Sequence, residues 1–208
     1  GFITPMAAVA GAVADETLDA LVAGGAVDRA YVNDGGDIAL FLSPGRSIRA
    51  AVAGTGHGFA NRLVVDAADP VRGIATSGWR GRSHSLGIAD AVTVLARSAA
   101  EADAAATVVA NAVDLPGHHA VTRVPASSLS PDSDLGDRLV TYRVGALGRA
   151  EIAEALDRGV AVAESLRGAG LIEAAALFLG GEARLCGDPR LAPAAAADEI
   201  SREVSVHA

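Results

Sequence analysis

Asp103, Thr107 and Asn111 recur every four residues within residues 98–111, S-A-A-E-A-D-A-A-A-T-V-V-A-N. Four-residue spacing puts all three on one face of a helix. The rest of the segment is mainly Ala and Val, so the three form a polar stripe. A carboxylate one turn from a hydroxyl, near a helix start, can hold a hard cation such as Mg²⁺ through oxygen; the same pattern also occurs on ordinary solvent-facing helices. Asn33, Asp34, Gly35, Gly36 and Asp37 form a second candidate, a turn with exposed amides and two carboxylates that lets a flat ligand approach closely. Its plainer reading is a hairpin turn. Residues 76–84, T-S-G-W-R-G-R-S-H, gather two Arg, the sole Trp, a His and three hydroxyls. That composition suits phosphate and ring recognition, or a mobile surface loop. His118 and His119 are adjacent and so point apart, which leaves them as loop surface rather than as a shared metal site. His57, in Gly54-Thr55-Gly56-His57-Gly58, has no partner that the sequence identifies.

The elements that must position these groups alternate between helix and strand. Thr4-Pro5 reads as an N-cap followed by proline at the first helical position, with a helix over 6–23 that stops at Gly24-Gly25. Strands are expected at 29–33 and 38–42, either side of the turn at 34–37, and then at 47–53, 62–66 and 73–76. Residues 77–87 read as irregular. A strand at 90–96 leads to a helix over 99–113, whose start carries Ser98 and Glu101 at capping-box spacing. Residues 114–136 hold three prolines and a Ser/Asp cluster, the composition of a linker or of an ordered loop that wraps a site. A strand at 139–144, an amphipathic helix at 149–167 and a hairpin of 171–179 with 182–186 follow. These divide the chain into a core at 1–113, a loop at 114–138, a strand-helix-hairpin part of the same domain at 139–187, and a frayed tail at 188–208.

Composition narrows the chemistry. All 17 basic residues are arginine, which excludes a Schiff-base lysine, a P-loop lysine and any lysine general base within this chain. Formal charge is −8, against a nucleic-acid surface. Cys186 is the single cysteine, so no internal disulfide or cysteine zinc site can form, as in a reducing cytoplasm; it reads as a small core residue near a strand end. No apolar run is long enough for a membrane span and no secretory signal is visible, so the expectation is a cytoplasmic protein without membrane contact. Phe, Trp and Tyr together number seven, so Ala, Val, Leu and Gly must do most of the packing.

The order of these pieces resembles the ApbE-like superfamily, whose best-known members are FAD:protein FMN transferases. That family carries a small-residue helix of the type G-A-I-A-K-G, a strand with a G-G-D or G-G-N turn, a T-S-G segment, a His, a strand, and a helix with A-D-A-x-x-T. The matching stretches are Ala7-Ala8-Val9-Ala10-Gly11-Ala12, Val32 through Asp37, Ala75-Thr76-Ser77-Gly78, His84, and Ala102-Asp103-Ala104-Ala105-Ala106-Thr107. The wording is closest to a bacterial and archaeal branch of the family.

The resemblance implies an α+β fold, a mixed, largely antiparallel sheet packed with helices, ApbE-like and similar to the T-fold. It implies that Asp103 and Thr107 ligate Mg²⁺ against a flavin pyrophosphate. Gly35, Gly36 and Asp37 would lie by the nucleotide, and Thr76, Ser77 and His84 near the flavin or its phosphates. Asn33, Asp34 and Gly78 are counted with them as cofactor-binding candidates, and His84 and Asp37 are the candidate catalytic groups, acid and base where the scaffold serves another reaction. The activity implied is transfer of FMN from FAD to a hydroxyl. A different reaction on a small cyclic or nucleotide-like substrate, or a non-catalytic flavin-binding or assembly subunit, stands beside it. Three features depart from the family: Gly11 stands where its helix has Lys, the C-terminal part is longer than the transferases need, and the strands that relatives carry ahead of the first helix are missing. The last leaves Val32 and Leu40 expected to lack cover on one face, and a sheet edge that takes a partner, in a homo-oligomer or from a second polypeptide.

Overall fold

The computed structural model describes residues 2–51 and 62–187. His57 and its Gly-rich loop, and the tail at 188–208, lie outside the described residues. At the centre is a six-stranded sheet whose neighbouring strands all run antiparallel: β1 (Arg29–Asp34), β2 (Asp37–Leu42), β5 (Gly73–Ser77), β6 (Ala91–Ala96), β9 (Ala174–Leu179) and β10 (Glu182–Cys186). Two hairpins stand apart from it, β3 (Ser47–Ala51) with β4 (Arg62–Asp66), and β7 (Val121–Pro125) with β8 (Leu139–Val144). The helices are α1 (Val9–Ala23), α2 (Ala99–Ala112), the single turn α3 (Ala126–Leu129) and α4 (Arg149–Gly168). The class is α+β, as the sequence predicts.

Both faces of the sheet are covered. Val92 and Val94 of β6 and Ala175, Leu177 and Leu179 of β9 face α2 and α4, in a core shared with Val109, Leu156 and Ile172. Their alternating neighbours, Leu95, Ala174, Ala176 and Phe178, pack with Leu40, Leu63 and Val65 under the β3–β4 hairpin. Every residue of β6 and of β9 is buried. Strands buried on both faces lose the polar–apolar alternation, which explains their uninterrupted apolar composition. The expectation that Val32 and Leu40 lack cover is therefore corrected: Leu40 is buried beneath the hairpin and Val32 packs against α1 with Ala14, Leu18 and Ala39. Strand β1 remains an edge, with Tyr31 exposed.

Two elements differ from the sequence reading. The first helix is split into a 3₁₀ turn at Pro5–Ala8 and α1, because Thr4 does not cap it. The Thr4 hydroxyl instead donates to Asp134, far along the chain, and the Thr4 carbonyl closes a tighter turn with the Ala7 N–H. Residues 114–136, whose composition fits either a linker or a wrapping loop, are ordered parts of the fold. They contribute β7, which pairs with β8 across a bulge at Thr122/Arg123, and α3. His118 is likewise no surface residue. Its Nε2 meets Glu151 Oε1 at 2.9 Å while Glu151 Oε2 accepts the Gly148 N–H, so the imidazole helps to pin the start of α4.

Helix α2 is seated through its first turn. Ser98 caps it, accepting the Glu101 N–H. The Asp15 carboxylate of α1 accepts the N–H groups of both Ala99 and Ala100, at 2.9 Å each. Carboxylate oxygen satisfies two otherwise orphaned donors and complements the positive end of the helix. Backbone contact at this junction leaves no room for side chains: a Cβ on Gly11 would lie 2.3 Å from the Ala99 carbonyl oxygen, and one on Gly73 would lie 1.9 Å from that of Ser98. Replacing Asp15 with Ala removes both acceptors and should cost about 2 kcal/mol, lowering the melting temperature by about 4–8 °C. Asp15→Asn keeps one acceptor oxygen and should lose roughly half as much, which calorimetric unfolding of the two variants will check.

Candidate functional site

The β1–β2 hairpin turns on Gly35-Gly36, both at positive φ (69° and 120°), with Asp34 paired to Asp37 across it. Asn33 Oδ1 accepts the Gly36 N–H at 2.9 Å, so this side chain shapes the turn. Strand β5 ends at Thr76 and Ser77; the Thr76 and Thr93 hydroxyls are 2.8 Å apart across the sheet. Helix α2 brings Asp103, Thr107 and Asn111 alongside. These groups line one cavity of about 760 Å³, together with Asp34, Gly35, Asp37, Thr76, Ser77, Gly78, Arg82 and His84. Opposite them stand Phe2, Thr4 and Met6 from the N-terminal segment and Ser130, Asp132 and Asp134 from the loop after α3.

Of the residues singled out in the sequence, Asn33 and Gly36 do not line the cavity; they build the turn behind it. Asn111 lines it, yet its Oδ1 already accepts the Leu86 N–H (2.8 Å) and the Ser85 hydroxyl (3.3 Å), which anchors the segment between β5 and β6 to α2. The group at 76–84 divides. Trp79 and Arg80 are directed to Asp90: Trp79 Nε1 donates to it at 3.2 Å, and Arg80 both donates to Asp90 and stacks over the Trp79 ring. The other oxygen of Asp90 accepts the Gly180 N–H. Ring and guanidinium therefore fasten the loop to the sheet, while Arg82, Ser83 and His84 face the cavity. Ser130, Asp132, Asp134 and Phe2 were not legible as site residues; the turn-rich Ser/Asp composition of 127–134 was the one signal pointing to them.

The cavity is acidic. Burial raises the carboxyl of Asp37 most, the neighbouring Asp103 and Asp34 raise it further, and a hydrogen bond from the Thr76 backbone and then Arg82 oppose them, leaving it at about 7. Asp103 is pushed up as well, first by burial and then by Asp34, although its Oδ2 accepts the Gly11 N–H at 3.1 Å. Arg82 reaches back to the Gly35 carbonyl at 3.5 Å and is the one arginine that lines the cavity among the described residues. Among the described residues no set of three or more His, Cys, Asp and Glu is grouped closely enough to hold a metal ion by itself. No helix among them is long and apolar enough to cross a membrane.

An antiparallel sheet backed by small-residue helices, with acids and hydroxyls converging at one end, defines an α+β protein with a polar cleft. The chain belongs to the family described as AbpE bacteria, which matches residues 1–185. It is similar to several UPF0280 proteins: 42% identical over 112 residues to that of Methanothrix thermoacetophila (53% of this chain, 46% of the relative). Likewise it is 38% identical over 120 residues to that of Methanococcoides burtonii (57% and 49%), and 36% identical over 129 residues to that of Methanoregula boonei (60% and 53%). The chain spans about half the length of the curated relatives it matches.

A raised Asp37 has a signed consequence. The folded state holds its proton more tightly than the unfolded chain, so this group's contribution is fully present below about pH 4 and is lost as pH rises through about 7. Asp37→Asn mimics the protonated form. It should raise the melting temperature by about 2–6 °C at pH 8 and leave it almost unchanged at pH 4, as read by thermal unfolding at the two pH values.

Proposed function

We propose that this protein is an ApbE-like, flavin-nucleotide- and Mg²⁺-dependent transferase that moves FMN from FAD to a hydroxyl acceptor. The observation that carries this reading is the convergence, in one cavity, of segments far apart in sequence: the Asp34–Asp37 turn, Thr76–Ser77–Gly78, His84, and Asp103 with Thr107. A cavity of about 760 Å³ suits a ligand of that class.

The donor set fits a hard cation. Asp103 and Thr107 offer oxygen alone, and Asp37 lies beside Asp103; Mg²⁺ is usually held by one or two carboxylates, with water and substrate phosphate completing the octahedron. Bound there, Mg²⁺ would neutralise charge on a pyrophosphate. Asp34, Asp37 and Asp103 repel a bare dianion, and among the described residues Arg82 is the one arginine lining the cavity against them, which couples the two ligands. A nucleotide should therefore bind weakly without the cation. Within the same cavity, the Gly35 carbonyl and the turn around it permit close approach of a flat ring, and Thr76 and Ser77 offer hydroxyls to phosphate oxygens. His84 holds a ring nitrogen at the cavity wall, where it can take the acceptor's proton.

A second reading, the same cavity used for a different reaction on a small cyclic or nucleotide-like substrate, is favoured by one observation. Gly11, opposite the family lysine, has no space for a side chain; the residue of this helix that lines the cavity is Ala10, and the chain contains no lysine.

FAD or FMN should raise the melting temperature with Mg²⁺ present and much less with EDTA, because a ligand that binds the native state stabilises it by mass action. Asp103→Asn should weaken Mg²⁺ affinity roughly tenfold or more in calorimetry, and Thr107→Val should weaken it less. Absence of any shift with saturating flavin would favour the second reading, and unchanged Mg²⁺ affinity in Asp103→Asn would sink the metal assignment.

A further inference from the structure

We infer that Ser130 is a nucleophile of the cavity, activated by His84, and that it accepts the transferred phosphoryl group within this chain. The identity of the donor rests on the proposed transferase activity, and the identity of the nucleophile rests on geometry. His84 Nε2 and Ser130 Oγ are 3.1 Å apart, both half-buried, and both line the cavity. Nucleophile and base within hydrogen-bond reach is the arrangement that hydroxyl activation needs. With the proton of the imidazole on Nδ1, Nε2 accepts the Ser130 hydroxyl.

Three of the other cavity hydroxyls are engaged elsewhere. Thr76 pairs with Thr93, Thr4 donates to Asp134, and the Ser133 hydroxyl accepts the Leu135 N–H. Ser130 is the cavity hydroxyl that is bonded to an imidazole among the described residues.

Its backbone is held in place. The Ser130 N–H donates to the Ala126 carbonyl, the Ser130 carbonyl accepts the Ser133 N–H, and the two sides of the loop close through Ala126 N–H to Arg138 O and Ser127 N–H to Gly136 O. Ser127 Oγ donates to Asp137 at 2.6 Å, and the Arg138 guanidinium lies 3.4 Å over the Phe2 ring, tying the loop to the N-terminal segment. A nucleophile on a self-bonded loop meets the positional demand that productive geometry imposes. A hydroxyl serving solely to orient His84 would not need to open onto the ligand cavity.

The step balances with a dinucleotide pyrophosphate as the donor. Ser130 Oγ attacks the flavin-side phosphorus; the Oγ–P bond forms and the bond from that phosphorus to the bridging oxygen breaks. AMP leaves with the bridging oxygen, and the hydroxyl proton passes to His84 Nε2 and then to the leaving phosphate or solvent. No oxidant or reductant is involved.

Intact mass spectrometry after incubation with FAD and Mg²⁺, followed by denaturation and peptide mapping, tests this. The wild-type chain should gain the mass of one FMN less one water at Ser130, with one AMP released. Ser130→Ala should gain nothing while keeping its circular dichroism and its Mg²⁺-dependent stabilisation by FAD. His84→Gln should form the adduct roughly a hundredfold more slowly. Stabilisation by FAD with no adduct, or an adduct on another residue, overturns the assignment of Ser130 and leaves the transferase reading standing. Where FAD gives no stabilisation, that reading fails, and a fluorophosphonate probe decides the nucleophile by itself. It transfers phosphorus to an activated serine with loss of fluoride. Labelling at Ser130 that is slowed in His84→Gln supports it, and absence of labelling overturns it.

Discussion

The seating of one helix start governs this structure. Asp15 holds the first two N–H groups of α2, and Gly11 and Gly73 let the backbones of α1 and β5 come into direct contact with it. Because the start is fixed in both position and rotation, Asp103 and Thr107 follow one and two turns along on the cavity side. Their buried counterparts, Ala102, Ala106, Val109 and Ala110, face the sheet. A helix of small side chains permits this close approach, at the cost of having few large residues to fix its register by packing alone. The carboxylate of Asp15 supplies the missing specificity.

Crowding three carboxylates at one end of the sheet opposes folding, since burial and mutual repulsion both raise Asp37. Strongly perturbed acids in a cleft are a common mark of a functional site. The surrounding structure bears the strain through contacts that lie away from the cavity. Asp90 joins Trp79, Arg80 and the Gly180 turn, and Asn111 joins Ser85 and Leu86, so the segment carrying Arg82 and His84 is anchored at both ends.

Much of this was legible in the residues. Strands β2, β4, β8 and β10 and helices α2 and α4 follow from apolar periodicity and from Gly or Pro at their ends, and the four-residue spacing of Asp103, Thr107 and Asn111 does put them on one face. What sequence could not supply was long-range. The Thr4 hydroxyl looked like a cap because its competitor, Asp134, is remote in the chain. Trp79 and Arg80 looked like ligand contacts because the carboxylate that claims them stands at the far end of the loop, just before β6. Strand β7 was hidden by turn-forming neighbours; its pairing with β8 outweighs weak local propensity. Ser130 carries no mark beyond the Ser/Asp composition of its loop, since its imidazole partner is 46 positions away.

The strands of the central sheet lie side by side in the order in which the chain makes them. The β3–β4 hairpin is an excursion between neighbours β2 and β5, and the stretch from α2 through α4 is an excursion between neighbours β6 and β9. Lengthening or shortening either excursion therefore leaves every pairing of the sheet in register. The excursion between β6 and β9 carries the loop with Ser130, Asp132 and Asp134, so one wall of the cavity can be exchanged as a cassette while the wall bearing Asp37 and Thr76 stays put. In evolutionary terms, this architecture separates the part that can diversify from the part that must be inherited intact.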